Sequence, residues 1–150
     1  MRADGGQRTA RPTQIKMATL KLEIVTPEAK VYSEDVDMVT LPGVEGEMGI
    51  FPMHVPLMTQ LTAGEVSVRK GGQDFFLAVG EGFVEVTGER VSILTDMAIK
   101  AENIDEAKAE EARKRAEARL AEKLDDEEVA NVSAALAHSL AQLKVKRRSH

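Results

Sequence analysis

Residues 19–99 alternate between apolar and polar side chains with a period of two. That period places one side of an extended segment in a core and the other toward water, so it predicts half-buried β-strands. The first run is Leu20-Lys21-Leu22-Glu23-Ile24-Val25, and in a second Val36, Met38 and Thr40 alternate with Asp37, Val39 and Leu41. Shorter runs surround Val66 and Val68, Val84 and Val86, and Val91 and Ile93.

Turn signals separate these runs: Pro42-Gly43, Ala63-Gly64, Gly71-Gly72, Gly80-Glu81-Gly82 and Thr87-Gly88-Glu89. Glycine supplies the positive φ angles that tight connections need. Short strands at such regular spacing predict an all-β sandwich or barrel. No helical pattern lies between the runs, which argues against parallel βαβ units.

The period changes near Asn103, which is a good N-cap with Glu106 placed three residues later, as in a capping box. From Ile104 to Leu124 there is no Gly, no Pro and no β-branched residue after Ile104, and strong helix formers fill the segment. We therefore predict a first helix. Its small apolar stripe is Ala109, Ala112, Ala116 and Leu120.

Asp125-Asp126 offers a break and a new cap, followed by Glu127 and Glu128, which favour a helix N-terminus. The second helix is predicted to bury Val129, Val132, Leu136, Leu140 and Leu143 and to end in the basic residues Lys144, Lys146, Arg147 and Arg148. Two helices joined by a short turn form an antiparallel hairpin. Alanine side chains bury little apolar area, so we expect this hairpin to be marginally attached and able to move.

Composition limits the chemistry. The 150 residues include no Cys, which excludes disulfides and thiolate sites, and aromatic residues make up only 3%. The net charge of −5 argues against nucleic acid as the main partner, and the basic C-terminal tail is too short to reverse that. No apolar stretch is long enough for a membrane span or a signal peptide.

Residues 1–16 differ from the rest, because they are polar, basic and without a period. We interpret them as a disordered extension, left by cloning or by an upstream start codon. A nucleic-acid-binding arm is the alternative, although scattered charges make a weak footprint.

The sequence offers no catalytic or metal constellation. None of His54, His138 and His150 pairs with another at helical spacing, and neither an HExxH nor a GxSxG motif occurs. Three glycines at steps of three, Gly43, Gly46 and Gly49, are not a phosphate-binding loop, because no Lys-Ser/Thr and no helix start follow them. We expect no enzyme activity.

The most distinctive segment is LPGVEGEMGIFPMHVPL, from Leu41 to Leu57. It closely resembles the signature of F-type ATP synthase epsilon subunits, in residue types and in spacing. The opening strand from Met17 to Glu28, the segment from Phe76 to Val86 and Ile104-Asp105 resemble the same family. The resemblance extends over residues 17 to about 143.

The resemblance implies a mainly β protein, with an N-terminal ten-stranded β-sandwich over residues 17–103 and a regulatory C-terminal two-helix hairpin over residues 104–150. This agrees with the fold that the periodicity predicts. It also implies a non-catalytic rotor subunit whose sandwich binds the gamma subunit and stands on the c-ring. The residues that it places at this interface are Gly43, Gly46, Glu47, Gly49 and His54. For His54 the alternative is a side chain that bonds only its own loop.

A second family motif, Ile/Leu-Asp-x-x-Arg-Ala, is associated with ATP binding in some members. The matching residues here are Ile104, Asp105, Lys108, Ala109 and Arg115, where Lys108 replaces an arginine and Arg115 matches a second one seven residues on. The second helix has His138 and Gln142 where some members supply arginines. Lysine lacks the bidentate fork of arginine. We therefore expect no cofactor and weak or absent ATP binding, with Asp105 and Lys108 serving the helix end and the surface.

The resemblance places the protein at the cytoplasmic face of the bacterial inner membrane, held there only through the complex. Its hairpin would contact the alpha/beta catalytic head and restrain ATP hydrolysis. A β-sandwich ligand-binding module with a helical appendage is the alternative from another class. Exposed aromatic residues on one sheet face would favour that alternative, and the chain has few.

Overall fold

The structure is a computed structural model that describes residues 18–148, so the interpretation of residues 1–16 falls outside it. Ten strands come first and two helices follow, which confirms the predicted fold class. The strands are β1 (Leu20–Val25), β2 (Lys30–Val36), β3 (Met38–Gly43), β4 (Gly46–Ile50), β5 (Leu57–Leu61), β6 (Gly64–Lys70), β7 (Gln73–Val79), β8 (Gly82–Val86), β9 (Arg90–Thr95) and β10 (Ala98–Lys100).

The strands pair in the order β10-β7-β6-β3-β5-β8-β9-β1-β2, and β4 pairs with β3. Every pairing is antiparallel except that of β1 with β9, in which Leu22 lies opposite Val91. Strand β3 bonds β6 near its start and β5 at its end, so it belongs to both halves of the sandwich.

The inward side chains form one aliphatic core. Leu22 and Ile24 have no exposed surface, as the alternation in β1 predicts. Strands from every part of the sheet contribute Val, Ile and Leu side chains to the same cluster. Because each such side chain contributes roughly 1.5–3 kcal/mol when fully buried, this cluster is the main source of the sandwich's stability.

The run around Asp37 is two strands rather than one. β2 ends at Val36, β3 begins at Met38, and the chain buries Val39 and Leu41 instead of Met38 and Thr40. The bend is fixed by Asp37, whose amide donates to the Arg69 carbonyl at 2.8 Å and whose carboxylate accepts from the Gly71 amide at 2.9 Å. The prediction that Met38 and Thr40 face the core was therefore wrong, because the bend at Asp37 changes which side chains of β3 point inward.

Helix α1 (Glu106–Leu120) begins later than predicted. Asn103 closes a 3₁₀ turn, Ala101–Asn103, that follows β10, and the N-cap is Asp105, whose Oδ1 accepts from the Lys108 amide at 3.1 Å. The prediction of Asn103 as the cap was wrong, because the chain must first turn away from the sheet edge before a helix can start.

Helix α2 (Asp126–Arg148) runs back along α1 and packs against β6 and β7. A reciprocal capping box precedes it: Asp125 Oδ1 accepts from the Glu128 amide at 2.8 Å, and Glu128 Oε1 accepts from the Asp125 amide at 3.3 Å. The predicted stripe was partly wrong, since Val129 and Leu140 are exposed. The helix contacts both α1 and the sheet, and its buried residues are Ser139, Ala141, Leu143 and Val145.

Candidate functional site

The glycine-rich segment is a β-hairpin. Strands β3 and β4 pair along their length, Gly43 lies opposite Gly46, and Val44-Glu45 form the turn between them. Gly46 has φ +124°, a backbone angle that L side chains rarely adopt. This glycine therefore sets the geometry of the turn, which carries Val44 and Glu45 into solvent.

Gly43 and Gly49 serve the hairpin in another way, because their φ angles are not positive. A Cβ on Gly49 would lie 3.1 Å from Met38 Cε, and one on Gly43 would lie 3.1 Å from the Gly46 carbonyl oxygen. Both positions are therefore limited by close packing rather than by backbone conformation.

The segment between β4 and β5 lies against the β8–β9 turn. The Met53 amide donates to the Gly88 carbonyl at 2.8 Å, and Met53 has φ 70°. His54 Nδ1 is 2.7 Å from the Val55 carbonyl oxygen, which can only accept, so Nδ1 carries the proton. His54 is thus bonded to its own segment, which is the local role considered above, while the structure leaves its interface role untested.

Large exposed apolar side chains lie on this segment and on the sheet face that follows it. Met58, Phe83 and Leu94 share the outer face of β5, β8 and β9, because Phe83 pairs with Leu94 and Met58 lies opposite Glu85, two residues from Phe83. The exposed fraction is 69% for Met58, 57% for Phe83 and 59% for Leu94. The segment before β5 adds Phe51, Met53 and Val55, and we call these six residues the apolar surface.

Glu47 lies on β4, away from the β5–β8–β9 face that carries Met58, Phe83 and Leu94. It is exposed and close enough to Glu65 to help raise the pKa of that carboxyl. The two charged residues that the resemblance assigns to one interface therefore lie on different parts of the sandwich: His54 within the segment that carries the apolar surface, and Glu47 near the face that meets α2.

Helix α2 meets the sandwich through an alanine-rich apolar cluster. Ala141 and Val145 of the helix pack with Ala78 of β7 and Ala101, and Ile104 completes this cluster. Three of these five side chains are alanines, and the larger side chains Phe76, Met97 and Ile99, which are partly buried, pack against the cluster. The hairpin is docked in this structure, and its weak attachment stays a prediction.

Polar contacts supplement the apolar cluster at both ends. His138 Nε2 lies 3.1 Å from Asp96 Oδ1, and a Cβ on Gly80 would overlap both side chains. Near the C-terminal end of α2, Lys146 Nζ donates to the Ala101 carbonyl at 3.2 Å. The absence of a side chain at Gly80 thus provides the space that Asp96 and His138 occupy.

Glu65 is the acidic residue that sequence reasoning missed. The alternation in β6 predicts that it faces water, yet it is only 7% exposed, because the C-terminal end of α2 covers that face. Arg148 Nε lies 2.9 Å from Glu65 Oε2, so the two side chains form an ion pair between the end of the helix and the sheet. Burial raises the pKa of the Glu65 carboxyl, and Arg148 and Lys144 oppose that rise. Nothing in the local sequence indicates which strand face a distant helix will cover.

The residues of the ATP-binding motif serve the fold in three of five cases. Ile104 is buried in the cluster under α2, Ala109 is buried, and Asp105 caps α1. Lys108 is exposed, and Arg115 is 70% exposed, with its guanidinium 3.6 Å from Glu111. Two exposed cations on one helix form no enclosed phosphate site.

An open groove of about 890 Å³ lies between the β6–β7 turn and the C-terminal end of α2. Its cations already have partners: Lys70 pairs with Glu34, and Lys100 lies 5.9 Å from the centre of the Tyr32 ring. Within residues 18–148 no group of three or more His, Asp or Glu side chains is placed to hold a metal ion. No helix in the same range is long and apolar enough to cross a membrane.

Comparisons with known proteins agree on one family. The sequence profile of the ATP synthase delta/epsilon chain beta-sandwich domain matches residues 19–101, and that of the delta/epsilon long alpha-helix domain matches residues 102–147. A protein named ATP synthase epsilon chain from Dehalococcoides mccartyi is 50% identical over 137 residues, covering 89% of this chain and 98% of that protein. One from Laribacter hongkongensis is 39% identical over 140 residues, covering 89% and 100%.

Solved structures are similar as well. A chain in the cryo-EM structure of the Euglena gracilis mitochondrial ATP synthase, OSCP/F1/c-ring, matches with a TM-score of 0.72 and 26% identity, covering 89% of this chain and 83% of that chain. A chain in the Tetrahymena thermophila mitochondrial ATP synthase central stalk/c-ring structure matches with a TM-score of 0.56 and 13% identity, covering 87% and 95%, which supports the fold alone.

Proposed function

The chain belongs to the ATP synthase delta/epsilon chain family, and on that premise we propose that it couples the c-ring to the gamma subunit in the central stalk of a bacterial, proton-translocating F-type ATP synthase. Like the epsilon chains that it resembles, it is a non-catalytic subunit of the complex. It sits at the cytoplasmic face of the inner membrane and associates with the membrane only through its partner subunits.

The apolar surface is the observation that carries this proposal. Large apolar side chains that remain exposed together mark sites of protein–protein contact. Three of its six residues lie on the neighbouring strands β5, β8 and β9 of a hydrogen-bonded sheet, above a closely packed core, and the other three lie on the segment that leads into β5. Such a base is stiff, because packed interiors have low compressibility, so a partner bound there can pass on torque without slip.

We assign the gamma and c-ring contacts to the apolar surface together with the β3–β4 turn. In this arrangement Gly43, Gly46 and Gly49 shape the hairpin, and Glu47 and His54 take part from its two sides. Val44, 52% exposed at the tip of the turn, adds an apolar contact.

Paired variants test the assignment. Phe83→Glu should scarcely change the melting temperature of the isolated protein, because the ring is exposed, yet it should abolish capture by gamma and the c-ring. Phe75→Glu is the matched control: Phe75 is 41% exposed but lies on β7, outside the apolar surface. Equal capture of the two variants would disprove the assignment.

Glu47→Ala and His54→Ala extend the test to the charged positions. If Glu47 and His54 contact partner subunits, the melting temperature of the isolated variants should be unchanged, since surface substitutions usually change stability by less than about 0.5 kcal/mol. Assembly with gamma and the c-ring should weaken. A loss of stability with unchanged assembly would show that they serve only the fold.

The hairpin supplies a second role, as a restraint on ATP hydrolysis through contact with the alpha/beta head. Its support is the alanine-rich cluster under α2, which has fewer buried residues than the core of the sandwich, and the basic end of α2, which suits an acidic partner surface. Deleting residues 104–150 should leave coupled ATP synthesis intact and raise ATP hydrolysis by the assembled enzyme. Unchanged hydrolysis would remove the regulatory role while leaving the coupling role in place.

ATP is not expected to control this hairpin. Lys108 and Arg115 are exposed on α1, and the second helix offers His138, which pairs with Asp96, in place of an arginine. Calorimetric titration of the isolated protein should show weak or absent ATP binding. Submillimolar affinity that is lost in Lys108→Ala would contradict this.

A further inference from the structure

Glu65 occupies an unusual position for a carboxylate. Its side chain is 5% exposed, it lies opposite Ala78 on the sheet face that α2 covers, and Ala78 belongs to the apolar cluster under the helix. Removing a carboxylate from water is costly unless hydrogen bonds and opposite charges compensate it. The contacts around Glu65 therefore decide whether it favours or opposes docking of the hairpin.

The compensation is incomplete. The cation that contacts Glu65 is Arg148, whose Nε lies 2.9 Å from Glu65 Oε2, and this arginine is 53% exposed at the last residue of the helix. Lys144 of α2 also attracts the carboxylate, while Glu47 of β4 repels it. The net result is that the pKa of Glu65 is raised, with burial as the largest cause, so the charged form is disfavoured in the docked arrangement.

We propose that Glu65 is a built-in destabiliser of the docked hairpin, whose buried charge is only partly compensated by Arg148, and that this imbalance keeps the hairpin releasable. A buried ion pair is often no better than neutral residues of similar shape, whereas loss of one partner leaves an uncompensated charge. Undocking returns Glu65 to water and relieves the imbalance. This role of Glu65 rests on the proposed regulatory hairpin, but the equilibrium between docked and undocked hairpin can be measured in the isolated chain, without partner subunits.

Three variants distinguish a destabiliser from a latch. Glu65→Gln should reduce the undocked population several-fold, because an amide keeps the shape without the charge. Arg148→Met should increase it several-fold, because methionine keeps an apolar side chain near Phe76, whose ring centre lies 5.4 Å from the Arg148 guanidinium carbon, but leaves Glu65 uncompensated. The double variant should return to the wild-type population or below it, and this non-additivity is the signature of the pair.

Docking can be read directly in the full chain, because it contains no cysteine. Labels attached to Gln73→Cys on the sandwich and Lys123→Cys beyond α1, both exposed, report their separation by double electron–electron resonance. Glu85→Gln, an exposed carboxylate on β8, is the matched control and should leave the distribution unchanged.

Acidity gives an independent readout. Since the docked pKa of Glu65 is raised, docking is tightest below the ordinary glutamate pKa, weakens as the pH rises to the raised value, and is constant above it. Acidification from about pH 7 to about pH 4 should therefore increase the docked fraction in wild type more than in Glu65→Gln.

Looser docking in Glu65→Gln would overturn the proposal, because it would show that the pair acts as a latch. Full docking of every variant, Arg148→Met included, would overturn it as well, and so would identical pH responses. Hydrolysis by the assembled enzyme is a separate measurement. The proposed restraint can therefore fail while the docking equilibrium behaves as described, and the reverse can also be seen.

Discussion

The sandwich and the hairpin are held by different kinds of contact. The sandwich buries large branched side chains from most of its strands in one cluster, whereas the hairpin meets the sheet through a smaller, alanine-rich cluster with charged groups at its edges. Many buried side chains of similar size contribute to the stability of the sandwich, whereas few contribute to the attachment of the hairpin. The sandwich is therefore built to stay in one conformation, while the attachment of the hairpin can be altered by single groups.

The largest difference should appear between a core leucine and a helix leucine. Leu22→Ala, at a fully buried position in β1, should lower the free energy of unfolding by about 2–5 kcal/mol. Leu140→Ala, at a position that is 47% exposed on α2, should change it by less than about 0.5 kcal/mol. Urea denaturation of the full chain measures both, and similar losses would remove the distinction between the two regions.

Backbone strain in the sandwich should come next. Gly46→Val forces a β-branched residue to a φ of +124° and should cost about 1–3 kcal/mol, without altering the labelled distance to the hairpin. Gly49→Val tests a packing contact instead, because its Cβ would press on a flexible methionine, Met38. Thermal melting should therefore show the smaller loss for Gly49→Val, and the opposite order would contradict the conformational role of Gly46.

Loss of the second cap should affect the hairpin alone. Asp125→Ala removes the oxygen that accepts from the Glu128 amide and should destabilise the start of α2 by about 1 kcal/mol. Hydrogen exchange should accelerate in the first turns of α2 and remain unchanged in the strands. Faster exchange across the sandwich would show that the two regions unfold as one unit.

The smallest effect is expected at the edge of the contact. His138→Ala removes the partner of Asp96 at an exposed site, where such pairs contribute about 0.2–1 kcal/mol. The labelled distance should shift slightly toward undocking, and the melting of the sandwich should hold. Gly80→Ala at the same place should undock the hairpin more strongly, because its Cβ would displace both side chains.

Local pattern was sufficient for most elements of the fold. Period-two alternation identified the inward residues of β1 correctly, and the change of period identified the two helices, because both signals depend on neighbours along the chain. The position of Asn103 was misjudged because a cap depends on where the chain leaves the sheet. The burial of Glu65 and the exposure of Leu140 were missed because they depend on how α2 lies across β6 and β7, which the alternation within one element does not encode.

The candidate site, too, was predictable where it depends on neighbours along the chain and not where it depends on contacts between distant elements. The resemblance directed attention to residues 43–54, and the apolar surface lies partly there, but Phe83 and Leu94 join it only through strand pairing across β8 and β9. The roles of Gly43, Gly46, Glu47, Gly49 and His54 at a partner remain predictions. Their local roles are visible: a positive φ for Gly46, close packing for Gly43 and Gly49, and a hydrogen bond within the loop for His54.

The parallel pairing of β1 with β9 has a consequence for how the chain reaches this structure. Lys21 lies opposite Arg90, so the first strand cannot complete its pairing until nearly the whole sandwich has been synthesised. Contacts between residues so distant in sequence slow folding, because the loop must close before they form. The two helices of the hairpin, by contrast, form from hydrogen bonds between residues four apart along the chain. During translation, therefore, the sandwich should be the slow part to form, with the unpaired backbone edge of β1 left for chaperones to shield until β9 emerges.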